Sequence, residues 1–160
     1  MAKAKEIKTN AMRLLDRQKL SYKVIQYECD VFTDGMAVAD KTGIPAERSF
    51  KTLVTEGKSK NYYVFVIPVA MELDLKAAAR AVGEKSVEMI HVKDILKITG
   101  YVRGGCSPLG MKKAYVTVMD KRIMDFDTVA VSGGRIGSTI VIAPGDLLLV
   151  TQAKLAEIAV

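Results

Sequence analysis

Histidine is nearly absent from this chain, and that scarcity removes most familiar hydrolytic machinery. His91 is the only imidazole among 160 residues. It stands at a predicted helix start among residues of ordinary surface type, so a serine or cysteine nucleophile elsewhere lacks the adjacent base that normally activates it. Cysteine is almost as scarce: Cys29 and Cys106 are the only two. A lone pair in a chain with no export signal reads as two reduced thiols, not as a disulfide scaffold. There is no CxxC, no HExxH and no run of Cys, His and carboxylates at ligand spacing, which points to chemistry without a metal. No stretch approaches the ~20 consecutive apolar residues of a membrane span, and the start, MAKAKEIKTNAM, lacks the apolar core of a signal peptide. The cytoplasm is therefore the expected location, with no membrane partner. No linker rich in Pro, Gly or Ser divides the chain and no internal repeat is found, so residues 1–160 are expected to form one domain.

What is present suits a compact protein. Hydrophobic residues make up 49% and charged residues 26%, the balance of a globular domain and not of a disordered one. A domain of this length hides roughly 70% of its unfolded surface and needs no staples. The formal net charge of +6 fits a polyanionic partner. It fits a merely basic soluble protein equally well, because the basic residues are spread along the sequence.

Periodicity places a first helix over about Ala4 to Gln18, with Ile7, Ala11, Leu14 and Leu15 on one face. Tyr22 to Tyr27 reads as a strand. Thr33 is the expected cap of a short helix over Gly35 to Lys41, closed by Gly43. Ser49 to Thr55 and Tyr62 to Ile67 are rich in β-branched and aromatic residues, and EGKSKN between them turns the chain back as a hairpin. Asp74 caps a helix over Leu75 to Val82 with Gly83 behind it; a strand at Val87 to Ile90 precedes a helix from His91 to Thr99, stopped at Gly100. Further strands are expected at Ala114 to Met119, Thr128 to Ser132 and Thr139 to Ile142. The tail from Pro144, including Ala153 to Ile158, reads as mostly helical. Strands and helices without strict alternation predict an α+β domain: a mixed, mostly antiparallel sheet packed by several helices.

Three segments look specialised. In Arg48-Ser49-Phe50-Lys51-Thr52-Leu53, strand alternation puts Lys51 on one face with Leu53 and Thr55, and Phe50, Thr52 and Val54 on the other. The ammonium would sit beside apolar neighbours, although a solvated lysine on an edge strand gives the same pattern. The segment from Gly100 to Gly110 gathers glycines around Pro108, a backbone able to approach a carbonyl oxygen or an anion with its N–H groups, or a plain surface turn. Val131-Ser132-Gly133-Gly134-Arg135-Ile136-Gly137-Ser138-Thr139 lacks the strand-GxGxxG-helix context of a dinucleotide site and the GK[ST] of a P-loop; a tight turn displaying Ser132 into a pocket accounts for its glycines.

Taken together and in order, FKTL at Phe50 to Leu53, LDLK at Leu73 to Lys76, TGYVRGGCSPLGMKK at Thr99 to Lys113, VSGGRIG at Val131 to Gly137 and APGDL at Ala143 to Leu147 resemble the YbaK/EbsC family of aminoacyl-tRNA editing deacylases. The resemblance spans nearly the full chain. It implies a YbaK-like editing domain, related to the insertion domain of bacterial prolyl-tRNA synthetases, that acts in trans to remove cysteine from Cys-tRNA(Pro) and also from Cys-tRNA(Cys). It implies no metal and no organic cofactor. The expected partners are tRNA(Pro) and other aminoacyl-tRNAs, with prolyl-tRNA synthetase a further one; the sequence does not fix the oligomeric state. A pocket rejects so small a difference as cysteine against proline by only ~1–3 kcal/mol, which makes a second sieve useful.

By this resemblance Lys51 is the family's essential lysine, holding the tRNA 3′ end or the substrate, and Gly104 acts with it in catalysis. Gly104 and Gly105 open the GxxxP-type loop that ends at Pro108 and whose backbone contacts the aminoacyl group. Tyr27, Phe32, Thr52 and Ser132 complete the expected substrate pocket. The family's chemistry uses the substrate's own thiol to attack its ester carbonyl, releasing a thiolactone, so the enzyme orients and polarises. Cys106 is then not the nucleophile. Relatives commonly read SGGKRGL followed by an acidic residue, whereas this chain has Arg135-Ile136-Gly137-Ser138-Thr139. One basic residue of a pair is gone, and Thr139 stands where the carboxylate would be. The alternatives are editing of another small amino acid such as alanine, and a non-catalytic tRNA- or synthetase-binding module.

Overall fold

The computed structural model describes residues 8–28 and 34–160. Helix α1 (Asn10–Arg17) begins later than the periodicity predicts. Thr9 adopts extended backbone and its hydroxyl accepts from Met12 N–H, which stops the helix from extending further back. The predicted residues 4–7, Ile7 among them, lie outside the described residues. Met12 and Leu15 are fully buried, and each contributes about 1.5–3 kcal/mol by leaving water.

After β1 (Lys23–Gln26) comes α2 (Gly35–Thr42). Its cap is Asp34 and not Thr33: Asp34 Oδ1 accepts from Ala37 N–H at 2.9 Å, and Gly43 ends the helix at φ 76°. Strands β2 (Phe50–Gly57) and β3 (Tyr62–Pro68) form the expected antiparallel hairpin, with Lys51 opposite Ile67 and Thr52 opposite Val66. Helix α3 (Leu75–Val82) is capped by Asp74 and closed by Gly83, as predicted. Strand β4 (Val87–Met89) pairs with the end of β2. The helix expected over His91 to Thr99 opens instead as a 3-10 turn at Val92–Asp94 and becomes α4 only at Ile95–Thr99. Strands β5 (Val116–Asp120), β6 (Val129–Ser132) and β7 (Ser138–Ile142) follow, then α5 (Pro144–Thr151).

The tail departs from expectation. Residues Ala153 to Ile158 are not helical: Gln152 ends α5 in the left-handed conformation, and Lys154–Ala156 forms β8, parallel to β5. The cause is tertiary. The buried Asp120 carboxylate accepts N–H bonds from Ile158 (3.1 Å) and Ala159 (2.9 Å) while Arg122 Nη1 holds it at 2.9 Å, so the tail is fastened along a strand edge regardless of local propensity.

The β structure is divided between two sheets, where the sequence suggested one: a mixed sheet ordered β4-β2-β3-β5-β8 and an antiparallel sheet ordered β1-β7-β6. Among the described residues four pairings are antiparallel and two, β3 with β5 and β5 with β8, are parallel. An isolated parallel bridge, Ser49 to Ala130, brings the start of β2 beside β6. The largest core cluster fills the space between the sheets, joining Phe50, Val66 and Met119 to Val131, Ile140 and α1. A second seats α3 on Phe65, Ile67 and Val118, and a third packs Ile98 of α4 against Val54 and Val64. The Ser49–Ala130 contact is what positions the site.

Candidate active site

A cavity of about 440 Å³ opens where the two sheets meet. That volume is typical of a small-molecule site, roughly 300–1,000 Å³. One wall is β2 itself, which runs along the cavity so that consecutive residues from Ser49 to Val54 contribute to the lining. The second wall comes from the other sheet, through Val131 and Ser132 of β6 and Thr139 of β7, with Ser132 and Thr139 in direct register. Asp34, Gly35 and Val38 of α2 close a third side. The fourth is apolar: Met89, Ile90, Val92 and Ile95, carried by β4 and the turn into α4.

Of the predicted site residues, the fold brings Tyr27, Lys51, Thr52, Gly104 and Ser132 onto this one cavity. Gly105 and Pro108 do not line it; both are buried behind the loop. The reason is visible in the packing. A Cβ on Gly105 would lie 2.8 Å from Arg135 Cα and 2.9 Å from its carbonyl carbon, so Gly105 is the point where the two glycine loops touch. Its N–H is also committed, donating to Val102 C=O at 3.0 Å. Gly104, at φ 84°, needs the left-handed conformation that glycine takes without strain, and its N–H has no acceptor among the described residues. Phe32 lies outside the described residues, as does Cys29. His91 is exposed and is not part of the lining.

The lining has three charged side chains among the described residues: Asp34, Lys51 and Arg103. Lys51 is half-buried and has no hydrogen-bond or ion-pair partner among the described residues, which leaves its ammonium available to a ligand. The hydroxyls are mostly committed. Ser49 Oγ donates to Pro45 C=O (3.1 Å), Thr42 Oγ1 to Ala39 C=O (3.1 Å), and Ser132 Oγ accepts from Gly134 N–H (3.2 Å), which fixes the β6–β7 turn. Thr52 Oγ1 differs: it is shielded from solvent with no partner. A buried hydroxyl left unpaired costs about 1–3 kcal/mol, a cost that a hydrogen-bonding ligand in the cavity would offset.

Cys106 lies on the lining, and burial pushes its thiol up to about 11. At pH 7 only about one molecule in ten thousand would carry the thiolate, so Cys106 is a neutral wall group and not a nucleophile. Burial likewise raises the Tyr101 phenol, to about 12; its hydroxyl donates to Leu109 C=O at 2.6 Å and ties the glycine-rich loop down. The loop is also held at its base, where Thr99 C=O accepts from Lys112 N–H. With Lys51, Arg103 and Gly104 on its otherwise largely apolar lining, the chamber can meet an anionic or carbonyl-bearing chain and admit a small apolar or weakly polar group. It offers no imidazole, and among the described residues no three His, Cys, Asp or Glu side chains gather as a metal-binding group.

Sequence reasoning missed Asp34, Arg103 and the apolar wall. Asp34 was legible as an Asp-Gly helix start one residue after Thr33. The wall was not, because Met89, Ile90, Val92 and Ile95 carry no chemistry that marks them outside a fold.

Known proteins resemble this chain in sequence and in fold. The family description "aminoacyl-tRNA editing domain" matches residues 33–149. The chain is 45% identical to the candidate Cys-tRNA(Pro)/Cys-tRNA(Cys) deacylase EbsC of Enterococcus faecalis, covering 99% of this chain and 98% of that protein. It is 23% identical to the multifunctional Ser/Thr-tRNA deacylase ProXp-y of Escherichia coli K12, over 98% and 95% of the two chains. Among solved structures, a candidate trans-editing enzyme for prolyl tRNA synthetase superposes with a TM-score of 0.82 at 24% identity, covering 96% of this chain and 98% of that one, a likeness of fold.

Proposed function

Since the chain belongs to the aminoacyl-tRNA editing domain family, we propose that it is a trans-editing deacylase that removes mischarged cysteine from Cys-tRNA(Pro), and also from Cys-tRNA(Cys). Residues 1–160 act as one editing domain. The observation that carries this reading is the cavity itself: it unites Lys51, Thr52, Gly104 and Ser132 from two sheets and a loop, and its lining among the described residues includes no imidazole.

That combination suits a substrate that brings its own nucleophile. The cysteine Sγ attacks the ester carbonyl carbon, the bond from that carbon to the ribose 3′ oxygen breaks, and the thiol proton passes to the departing oxygen, giving a cysteine thiolactone and free tRNA. The protein's part is to hold the reacting atoms close and to stabilise the carbonyl oxygen as charge gathers on it. Lys51 grips the 3′ end, Gly104 N–H faces the developing oxyanion, and Tyr27, Thr52 and Ser132 line the aminoacyl pocket. The neutral thiol of Cys106 does not compete as nucleophile.

Single-turnover deacylation of Cys-tRNA(Pro), with Ala-tRNA(Pro) as comparison and Lys51→Ala as control, tests the reading. The expected result is rapid loss of cysteine, thiolactone among the products, and no activity in Lys51→Ala. Loss of alanine without loss of cysteine moves the assignment to a sibling specificity. Failure on every mischarged tRNA leaves a binding module.

A further inference from the structure

Linear spacing hides where the positive charge of this protein lies. Between His91 and Lys113 the chain carries Lys93, Lys97, Arg103, Lys112 and Lys113 against one carboxylate, Asp94, a net +4 of the whole chain's +6. The fold gathers this segment into one ridge. Lys97 is carried by α4 and Lys93 by the 3-10 turn that runs directly into it, so both belong to one short surface segment. Lys112 joins them because its N–H donates to Thr99 C=O at 2.8 Å, and its Cβ lies 3.6 Å from where a Cβ on Gly100 would stand. Lys93, Lys97, Lys112 and Lys113 are all exposed. Asp94 neutralises little, since its contact with Lys97 Nζ is 3.9 Å long and leaves the lysine side chain 75% exposed.

The ridge adjoins the cavity mouth: Val92, Ile95, Arg103 and Gly104, from the same segment, line the cavity. Its surface is also unusually apolar between the charges. Val92, Leu96 and Val102 are 54%, 57% and 47% exposed, large aliphatic groups that a solvated face would not be expected to collect beside lysines. Alternating cations and apolar faces match a nucleic-acid single strand, whose phosphates and base faces alternate in the same way.

We infer that the ridge from Val92 to Lys113 is the RNA-docking surface, with Lys93, Lys97, Lys112 and Lys113 binding the phosphates of the single-stranded 3′ end and the exposed aliphatic groups taking base faces. This rests on the proposed function for the identity of the RNA, but its test is separable. None of the four lysines lines the cavity, so the ridge serves capture and not chemistry.

The experiment compares two fourfold variants: Lys93→Gln, Lys97→Gln, Lys112→Gln, Lys113→Gln on the ridge, and Arg13→Gln, Arg17→Gln, Lys23→Gln, Lys154→Gln as an equal loss of exposed charge elsewhere. Anisotropy titration of uncharged tRNA(Pro) from 50 to 250 mM salt reads binding, and turnover of Cys-tRNA(Pro) and of 3′-O-cysteinyl-adenosine reads chemistry. The ridge variant should weaken tRNA binding at least tenfold at low salt. It should lower the slope of log K against log salt by about 3 units, four phosphates at roughly 0.7–0.9 each. It should raise KM for Cys-tRNA(Pro) while leaving kcat and the small ester untouched, and the control variant should change binding less than threefold. An unchanged affinity in the ridge variant, or an equal loss in the control, overturns the inference. If the wild-type protein deacylates nothing yet the ridge still governs tRNA binding, the enzymatic reading fails and the docking surface stands.

Discussion

Gly105→Ala separates a glycine that packs from a glycine that touches substrate. The added methyl would meet Arg135 Cα at 2.8 Å, Arg135 C at 2.9 Å and Ile136 N at 3.0 Å. All three are backbone atoms, so no side chain can swing away. Restoring even a tight contact of 3.4 Å requires the loops to part by 3.4 − 2.8 = 0.6 Å. Overpacking of this kind costs about 1–3 kcal/mol, which for a domain of this size lowers Tm by roughly 2–12 °C. The same displacement moves Gly104 relative to Ser132, the two lining groups that flank the contact, and a shift approaching 1 Å in a catalytic arrangement can cost up to about a hundredfold in rate. The expectation is therefore a lowered Tm together with a fall of about tenfold or more in the single-turnover rate on Cys-tRNA(Pro). Gly145→Ala is the control: Gly145 lies in α5 and an added methyl there would meet nothing within 4 Å, so that substitution should be neutral or stabilising by about 0.5–1 kcal/mol. A Gly105→Ala protein with wild-type Tm and rate would refute the reasoning, and a wild-type Tm with lost activity would return Gly105 to direct substrate contact.

Three further outcomes follow from the same geometry. Thr52→Val removes a shielded hydroxyl that has no partner, so urea unfolding should show a gain of up to about 1 kcal/mol while kcat/KM falls by roughly two- to tenfold, the worth of one neutral hydrogen bond to substrate; loss of stability with full activity would contradict it. Burial raises Cys106 above its ordinary 9.0 to about 11 and Tyr101 above 10.0 to about 12, so both favour the protonated folded state. Their contribution is complete below pH 9 and is lost as pH rises through 11 and 12, so stability at pH 10.5 should lie about 2 kcal/mol below that at pH 8, and less far below in Cys106→Ser. An equal fall in the variant would discount the thiol. Thr9→Val deletes both the α1 cap and the bond that Thr9 Oγ1 donates to Gly133 C=O at 2.5 Å, and should cost about 1–2 kcal/mol in chemical denaturation, with Thr9→Ser restoring most of it.

The parts of the fold that were legible in the sequence are those whose determinants are local. Asp74 and Gly83 bracket α3 because an N-cap carboxylate and a left-handed glycine act within one turn of the chain. The β2–β3 hairpin is legible for the same reason, from β-rich runs around a polar turn. What failed depends on distant partners. Residues Ala153 to Ile158 have helical composition, yet Asp120, more than thirty residues away, supplies the acceptor that keeps them extended. The Ser49–Ala130 bridge, which sets the two sheets side by side, is likewise a contact between distant residues that no spacing encodes. In the site, the lysine, the threonine and the glycine loop were visible as motifs, whereas the sorting of Gly104 to the cavity and Gly105 to the loop contact needed the position of Arg135.

The placement of the site at the seam between sheets has a consequence for how it is held. Lys51 and Thr52 ride on one sheet, Ser132 and Thr139 on the other, and the distance between them is set by Phe50, Val131 and Ile140, which share one core cluster with α1. Packing at native density resists compression, so this cluster acts as a spacer and the cavity width is as well defined as the core. The fourth wall is different in kind. It is carried by a three-residue strand, a 3-10 turn and a five-residue helix, short elements with many exposed groups, which belong to the less stable end of a fold. The stiff walls therefore carry Lys51, Thr52, Ser132 and Thr139, while the more pliant wall is apolar towards the cavity and bears the exposed Lys93 and Lys97. On the function proposed above, positioning and capture would thus fall to structural elements of different stiffness, as suits an enzyme whose own task is geometry.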